Sequence, residues 1–180
     1  MPATAATAAV PIVRRLTAVS PDQLAALAEL LIDCVDGGAS VSFMQPLAPA
    51  RALAFWRGVA AEAELGQRAL LVAEDESGIV GSVQVVLAQP ENQPHRGDVS
   101  KMLVLRRARR RGLGAALMKA AEDVAREHGK SLLVLDTASA EAERLYARLG
   151  WQRCGVIPGY ALLPQGGLCD TSYFYRRLDS

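Results

Sequence analysis

The chain has 180 residues, 51% hydrophobic and 22% charged, with 20 Lys and Arg against 19 Asp and Glu. That length gives one domain with a substantial core and leaves little room for two, and the composition is that of an ordinary soluble globular protein rather than a disordered one. The net charge of +1 lacks the broad basic excess of a nucleic-acid binder, and no segment has the uninterrupted apolar length of a membrane span.

The opening residues 1–11, MPATAATAAVP, have no positive n-region and read as a flexible tail rather than a signal peptide. The expected organisation is this tail, then a single domain over 12–180, with the cytoplasm as the default compartment. Residues 12–19 alternate loosely and predict a first strand. Ser20-Pro21-Asp22 predicts a helix start, with Ser20 as N-cap, Pro21 in the first turn and Gln23 completing a capping box. Leu24, Leu27, Leu30, Leu31 and Val35 recur at helical spacing until Gly37-Gly38 stops the helix. Residues 37–46, GGASVSFMQP, resist a regular assignment; as a connector they would be pinned by Phe43 and Met44 in the core. Ala52, Phe55, Trp56, Val59, Ala60 and Ala63 give a second helix within 48–65, ended by Gly66.

Residues 69–74 and 79–88 read as a β-hairpin around Asp75-Glu76-Ser77-Gly78, and Gly81 marks a bulge or a close contact. The polar segment 89–98 leads to a strand over 99–105. Its Glu91, Asn92, His95, Arg96 and Asp98 are the densest polar group outside the arginine run. They are either a solvated loop or a site for a zwitterionic acceptor, Arg96 meeting a carboxylate and Glu91 or Asp98 an ammonium.

The chain is organised around residues 104–116, VLRRARRRGLGAA, where a β-like run ends in arginines and a glycine pair opens a helical pattern. Gly112 and Gly114 let a ligand approach the backbone, and unpaired N–H groups at the start of the following helix favour an anion. This reads as a phosphate cradle. Taken alone, the glycines also fit an ordinary turn, and the five arginines fit a solvated face or a nucleic-acid patch; the near-zero net charge favours a local anion site. The helix ends near His128-Gly129, and residues 131–136 form a buried strand reached by a parallel crossover. Residues 139–149 form a helix, 151–157 a strand, 158–170 a long Gly/Pro loop and 171–178 a terminal strand. Cys34, Cys154, Cys169, His95 and His128 have neither disulfide-framework nor metal-ligand spacing, so no metal is expected.

The spacing of Val104, Arg109, Gly112 and Gly114 resembles the acetyl-coenzyme A motif of the GNAT superfamily of N-acetyltransferases. Downstream, Ala142, Leu145, Tyr146, Leu149, Gly150 and Trp151 are similar to that family's second signature, Ala-x-x-Leu-Tyr-x-x-x-Gly-aromatic. The resemblance is carried by residues 69–178 and is expected to extend over the whole chain. Within the superfamily, the stretches GGASVSFMQPL, QPENQPHRGDVSKMLV and PGYALLPQGGLCDT look most like the tabtoxin-resistance acetyltransferases, which acetylate a β-lactam-containing amino-acid toxin.

The resemblance implies an α/β (α+β) fold: a mixed, mostly antiparallel central sheet, helices on both faces, and a splayed parallel strand pair at the cofactor slot. It implies acetyl-CoA as donor, with the backbone of Met102, Leu103 and Val104 meeting the pantetheine and the thioester carbonyl. Arg109 and the run Arg110, Arg111, Gly112, Leu113, Gly114 and Ala115 would hold the pyrophosphate, with Thr137 and Ser139 nearby. Ser139 stands where many members have Asn, which weakens a cofactor contact there. Tyr146 would protonate the departing thiolate. Asp136, at the C-terminal end of a buried strand where open α/β sheets place function, is the first candidate for base or acceptor anchor, ahead of Glu91, His95 and Asp98; it also fits a cap or turn former. Ser40 and Phe43, between the first two helices, would help wall the acceptor site. The expected partner is a small-molecule amine, with no nucleic acid and no membrane; a homodimer is an open option. The alternatives are a peptide or protein N-acetyltransferase and a non-catalytic acyl-CoA sensor.

Overall fold

In the computed structural model, which describes residues 12–178, the chain runs β1 (Ile12–Leu16), α1 (Pro21–Asp36), α2 (Pro49–Glu64), β2 (Arg68–Asp75), β3 (Gly78–Val86) and β4 (Arg96–Val104). A single 3-10 turn, Arg106–Ala108, leads to α3 (Leu113–Glu127), β5 (Leu132–Thr137), α4 (Ala140–Arg148), β6 (Gln152–Leu162) and β7 (Leu168–Arg177). The expected tail over 1–11 lies outside the described residues.

The start of α1 follows from its sequence. Gln23 N donates to Ser20 Oγ at 3.2 Å and Ser20 N donates to Gln23 Oε1 at 2.8 Å, a reciprocal cap whose serine half contributes about 1 kcal/mol. Strands β2 and β3 join through Glu76 and Ser77, and both readings of Gly81 hold. The pairing slips beside it, and a Cβ there would lie 3.0 Å from the Leu103 carbonyl oxygen and 3.1 Å from Leu117.

The seven strands form one sheet in the order β1-β2-β3-β4-β5-β7-β6. Every neighbouring pair is antiparallel except β4 and β5. Alternation along β2 decides the layers. Leu70 and Val72 pack with Leu27, Leu30 and Leu31 of α1 and Trp56 of α2. Ala69, Leu71 and Ala73 turn to the other face, against Leu113, Leu117, Met118 and Ala121 of α3. Leu117 and Met118 are wholly buried, each stabilising the fold by roughly 1.5–3 kcal/mol.

One element departs from expectation. Residues 158–170 are mostly strand rather than loop, because β6 continues to Leu162 and β7 begins at Leu168. The physical reason is position: β6 is the sheet's edge, where a proline's missing N–H is tolerated, and the register slips between Ile157 and Ala161, taking up Pro158 and Gly159.

Two features prepare the site. The parallel ladder holds only Arg96, Gly97 and Asp98 against Leu132, Leu133 and Val134; beyond it the strands part. On β4, Leu103 pairs with Ser82 and Ser100 with Gln84, so Lys101 and Met102 together face Val83. That bulge puts Lys101 at φ 50°, a left-handed conformation costly for a residue with a Cβ.

Candidate active site

The parted strands open a cleft of about 540 Å³. One wall is Met102, Leu103 and Val104 of β4; the other is Asp136, Thr137 and Ser139 at the end of β5, with Tyr146 of α4. Arg109, Arg110, Gly112, Leu113, Gly114 and Ala115 close one end. A second cavity of about 270 Å³ adjoins it, lined by Ser40, Ser42, Phe43, Met44, Asp136, Ala138, Tyr160 and Thr171 among others. Ser40, Ser42, Ala138 and Asp136 belong to both walls.

The end of the cleft next to α3 is shaped by backbone. Arg110 and Gly112 take φ values of 62° and 79°, and Gly112 caps α3 with no side-chain hydrogen bond, leaving the first N–H groups of a 15-residue helix for a ligand. Gly114 lines the cleft and also serves packing, since a Cβ on it would sit 2.8 Å from Leu145 Cδ2; its bareness lets α4 approach. The arginine run divides. Arg109 and Arg110 line the cleft, while Arg106 bonds Asp33 at 2.9 Å, Arg107 bonds Ser77 at 2.8 Å and Arg111 turns to Asp75 at 3.4 Å. The Val104 carbonyl accepts from Arg109 Nε at 3.3 Å and from Cys34 Sγ at 3.5 Å, so that carbonyl is already engaged by the protein.

Tyr146 is 5% exposed, with its ring against Trp151 and Phe174 at centroid distances of 6.0 and 5.8 Å. Trp151 is itself held by its Nε1, which donates to buried Glu122 at 3.1 Å. Burial first, and then the charge of Asp136, push the Tyr146 phenol well above the ordinary tyrosine range, so it keeps its proton. Asp136 is exposed and accepts from Thr171 Oγ1 at 3.0 Å. Ser139 spends its hydroxyl as the cap of α4, accepting from Ala142 N at 3.2 Å, and Thr137 Oγ1 accepts from Ser139 N at 3.1 Å.

The structure does not bring Glu91, Asn92, His95, Arg96 and Asp98 to either cavity. They lie around the other end of β4, where Arg96 bonds Gln89 and Asp98 at 2.7 and 3.3 Å. The two ends of the 9-residue strand β4, Arg96 and Val104, lie roughly 25 Å apart at strand rise. Proximity in sequence to the cofactor strand misleads here, because a strand delivers its two ends to opposite edges of the sheet. Several lining residues, Cys34, Lys101 and Thr171 among them, are not marked as site residues by any local signal in the sequence. Lys101 sits in the expected strand, but nothing in its sequence marks the bulge, and Thr171 reaches the site only through the β5–β7 pairing.

Among the described residues, no group of His, Cys, Asp or Glu is arranged to hold a metal ion, and no helix is long and apolar enough to cross a membrane. A family model, the acetyltransferase (GNAT) family, matches residues 26–151, and the chain belongs to that family of acetyltransferases, whose acetyl donor is acetyl-CoA. Solved structures share its fold. YncA of Salmonella typhimurium, with its cofactor acetyl-CoA, superposes with a TM-score of 0.77 at 21% identity, over 94% of this chain and 95% of that one. A phosphinothricin acetyltransferase of Sinorhizobium meliloti, in complex with acetyl-CoA, gives 0.76 at 18% identity over 93% and 88%. A ribosomal-protein-alanine N-acetyltransferase of Brucella melitensis gives 0.75 at 21% over 92% and 99%.

Proposed function

We propose that the protein is a cytoplasmic N-acetyltransferase that takes acetyl-CoA in the β4–β5 cleft and acetylates the amine of a small acceptor seated in the adjoining cavity. Amino-acid-like antibiotics or toxins, such as a tabtoxin-type β-lactam, are the acceptor class this reading favours. The carrying observation is the roof of that cavity. Ser40 Oγ donates to the Leu162 carbonyl at 3.4 Å and Gln45 N donates to the Pro164 carbonyl at 2.9 Å, so the 37–46 loop is tied to the β6–β7 hairpin. A volume of about 270 Å³ under such a roof suits a small amine better than a peptide in an open groove.

The cleft fits the donor. The parted strands leave a gap beside Met102, Leu103 and Val104, and the uncapped start of α3 with Arg109 and Arg110 matches a pyrophosphate. Acetyl-CoA supplies an acetyl thioester, whose transfer to an amine leaves a thiolate in need of a proton. Tyr146, kept protonated by its apolar surroundings, is the proton source at the cleft wall. Asp136, on the boundary of both cavities, receives the acceptor's ammonium and draws its proton away, with Thr171 fixing the carboxylate. Backbone N–H groups on the β4 wall face the position where negative charge develops at the carbonyl.

The test is mass spectrometry of pooled small amines, amino acids, amino-acid-like antibiotics and short peptides incubated with the protein and acetyl-CoA. The expected result is a gain of one acetyl group on a small amine. Acetylation of peptides alone would replace this reading with a peptide N-acetyltransferase, and donor binding without any product would favour a sensor.

A further inference from the structure

We infer that Lys101 is the anchor for a carboxylate on the acceptor, so that the preferred substrate is an α-amino acid or a close analogue, held by its ammonium at Asp136 and by its carboxylate at Lys101. This rests on the N-acetyltransferase reading and narrows it.

Three observations converge on Lys101. The first is its backbone: at φ 50° it occupies a region that side chains other than those of Gly, Asn and Asp seldom adopt, and such strain clusters where a side chain must be aimed. The second is its location. It lines the cleft beside the acceptor cavity, with Nζ 3.3 Å from the hydroxyl of Ser42, a residue of both walls. The third is its company. The ammonium has a neutral hydroxyl and the Phe55 ring, 5.8 Å from Nζ to centroid, and it forms no ion pair with any described residue. Burial, moreover, pulls its proton affinity down, offset in part by the charge of Asp136. A partly desolvated cation without a counter-anion is a costly arrangement that a bound carboxylate relieves.

Asp136 supplies the other half. Asp136 lines both cavities and Lys101 the cleft, and the two form no ion pair with each other, so the cleft carries one charge of each sign near the acceptor cavity. An α-amino acid carries the complementary pair on a single carbon. The rest of the small cavity, with Phe43, Met44, Tyr160 and Leu162 beside Ser40 and Thr171, would receive its side chain. The zwitterion site expected around Arg96 is thus moved to the opposite end of β4.

The experiment compares the standard L-α-amino acids and L-phosphinothricin, each with its decarboxylated amine, in steady-state acetylation by the wild-type chain and by Lys101→Asn, Lys101→Met and Lys101→Arg. Asparagine tolerates the left-handed backbone, so Lys101→Asn removes the charge without adding strain. The wild type is expected to prefer the amino acid in each active pair by about tenfold or more, the scale of one charge-assisted hydrogen bond. Lys101→Asn and Lys101→Met should erase that preference by raising KM for the amino acid, leaving KM for acetyl-CoA and for the amine unchanged, and Lys101→Arg should retain most of it. Equal use of amino acid and amine by the wild type, or a variant that weakens acetyl-CoA instead, overturns the proposal while leaving N-acetylation standing. No product from any member, when the pooled amines yield one, likewise overturns the proposal and leaves N-acetylation standing; no product from either panel overturns both.

Discussion

The donor and acceptor halves of the site are built by opposite means. The donor half, on the proposed reading, is one contiguous stretch from the end of β4 to the first turn of α3, and its working parts are backbone: two left-handed residues and the uncapped start of a helix. The acceptor half draws single side chains from the 37–46 loop, the β4 bulge, the end of β5 and the β6–β7 hairpin. A backbone device tolerates side-chain change and is sensitive to conformation. A side-chain device is the reverse. The two halves should therefore fail differently.

The largest effect should come at their meeting point. Tyr146→Phe should lower turnover by about a hundredfold or more, the scale of general-acid catalysis, with KM for acetyl-CoA nearly unchanged; unaltered turnover would remove Tyr146 as the acid. Its titration sharpens the point. The folded phenol holds its proton above the ordinary value of about 10, so its contribution to stability is whole below that pH and declines as pH rises toward the folded value. Tyr173, pushed up to about 12 by its hydrogen bond to Tyr160 and by burial, behaves alike. Absorbance titration at about pH 11 should find both still protonated in the folded chain, among its 4 tyrosines.

A smaller effect is expected at the anion end. A Cβ at Gly112 would meet open space, but the backbone there has a φ of 79°, so Gly112→Val is penalised by conformation alone, by about 1–2 kcal/mol. KM for acetyl-CoA should rise about tenfold while acceptor KM stays put, and Gly112→Asn should recover much of the loss. A rise in acceptor KM instead would dissolve the division between the halves. The smallest effect is predicted at the far end of β4: Arg96→Ala should change kcat and both KM values by less than about twofold, and lower stability by about 1 kcal/mol through its bonds to Gln89 and Asp98.

The same division explains what is legible in the sequence. Ser20 and Gln23 announce α1, and Gly112 with Arg109 announces the cradle, because caps and left-handed turns are local and leave local marks. Asp136 is legible from its place at a strand end, and Tyr146 from its spacing to Gly150 and Trp151. Lys101 is not, since a bulge is a property of the β3–β4 register rather than of any short stretch. Thr171 is hidden for the same reason. The 158–170 segment reads as loop because Pro158 and Gly159 mark loops unless a strand lies at an edge, and edge position is known only once the sheet is assembled.

The ties between the 37–46 loop and the hairpin tip, Ser40 to Leu162 and Gln45 to Pro164, have an evolutionary consequence. They join two segments far apart in the chain, and the 37–46 loop borders the cleft as well as the small cavity. Exchange of residues at this latch can retune which amines are admitted while the left-handed turn and helix start at Arg110 and Gly112 keep their own local construction, so one inherited acetylating engine can be fitted to a succession of acceptors.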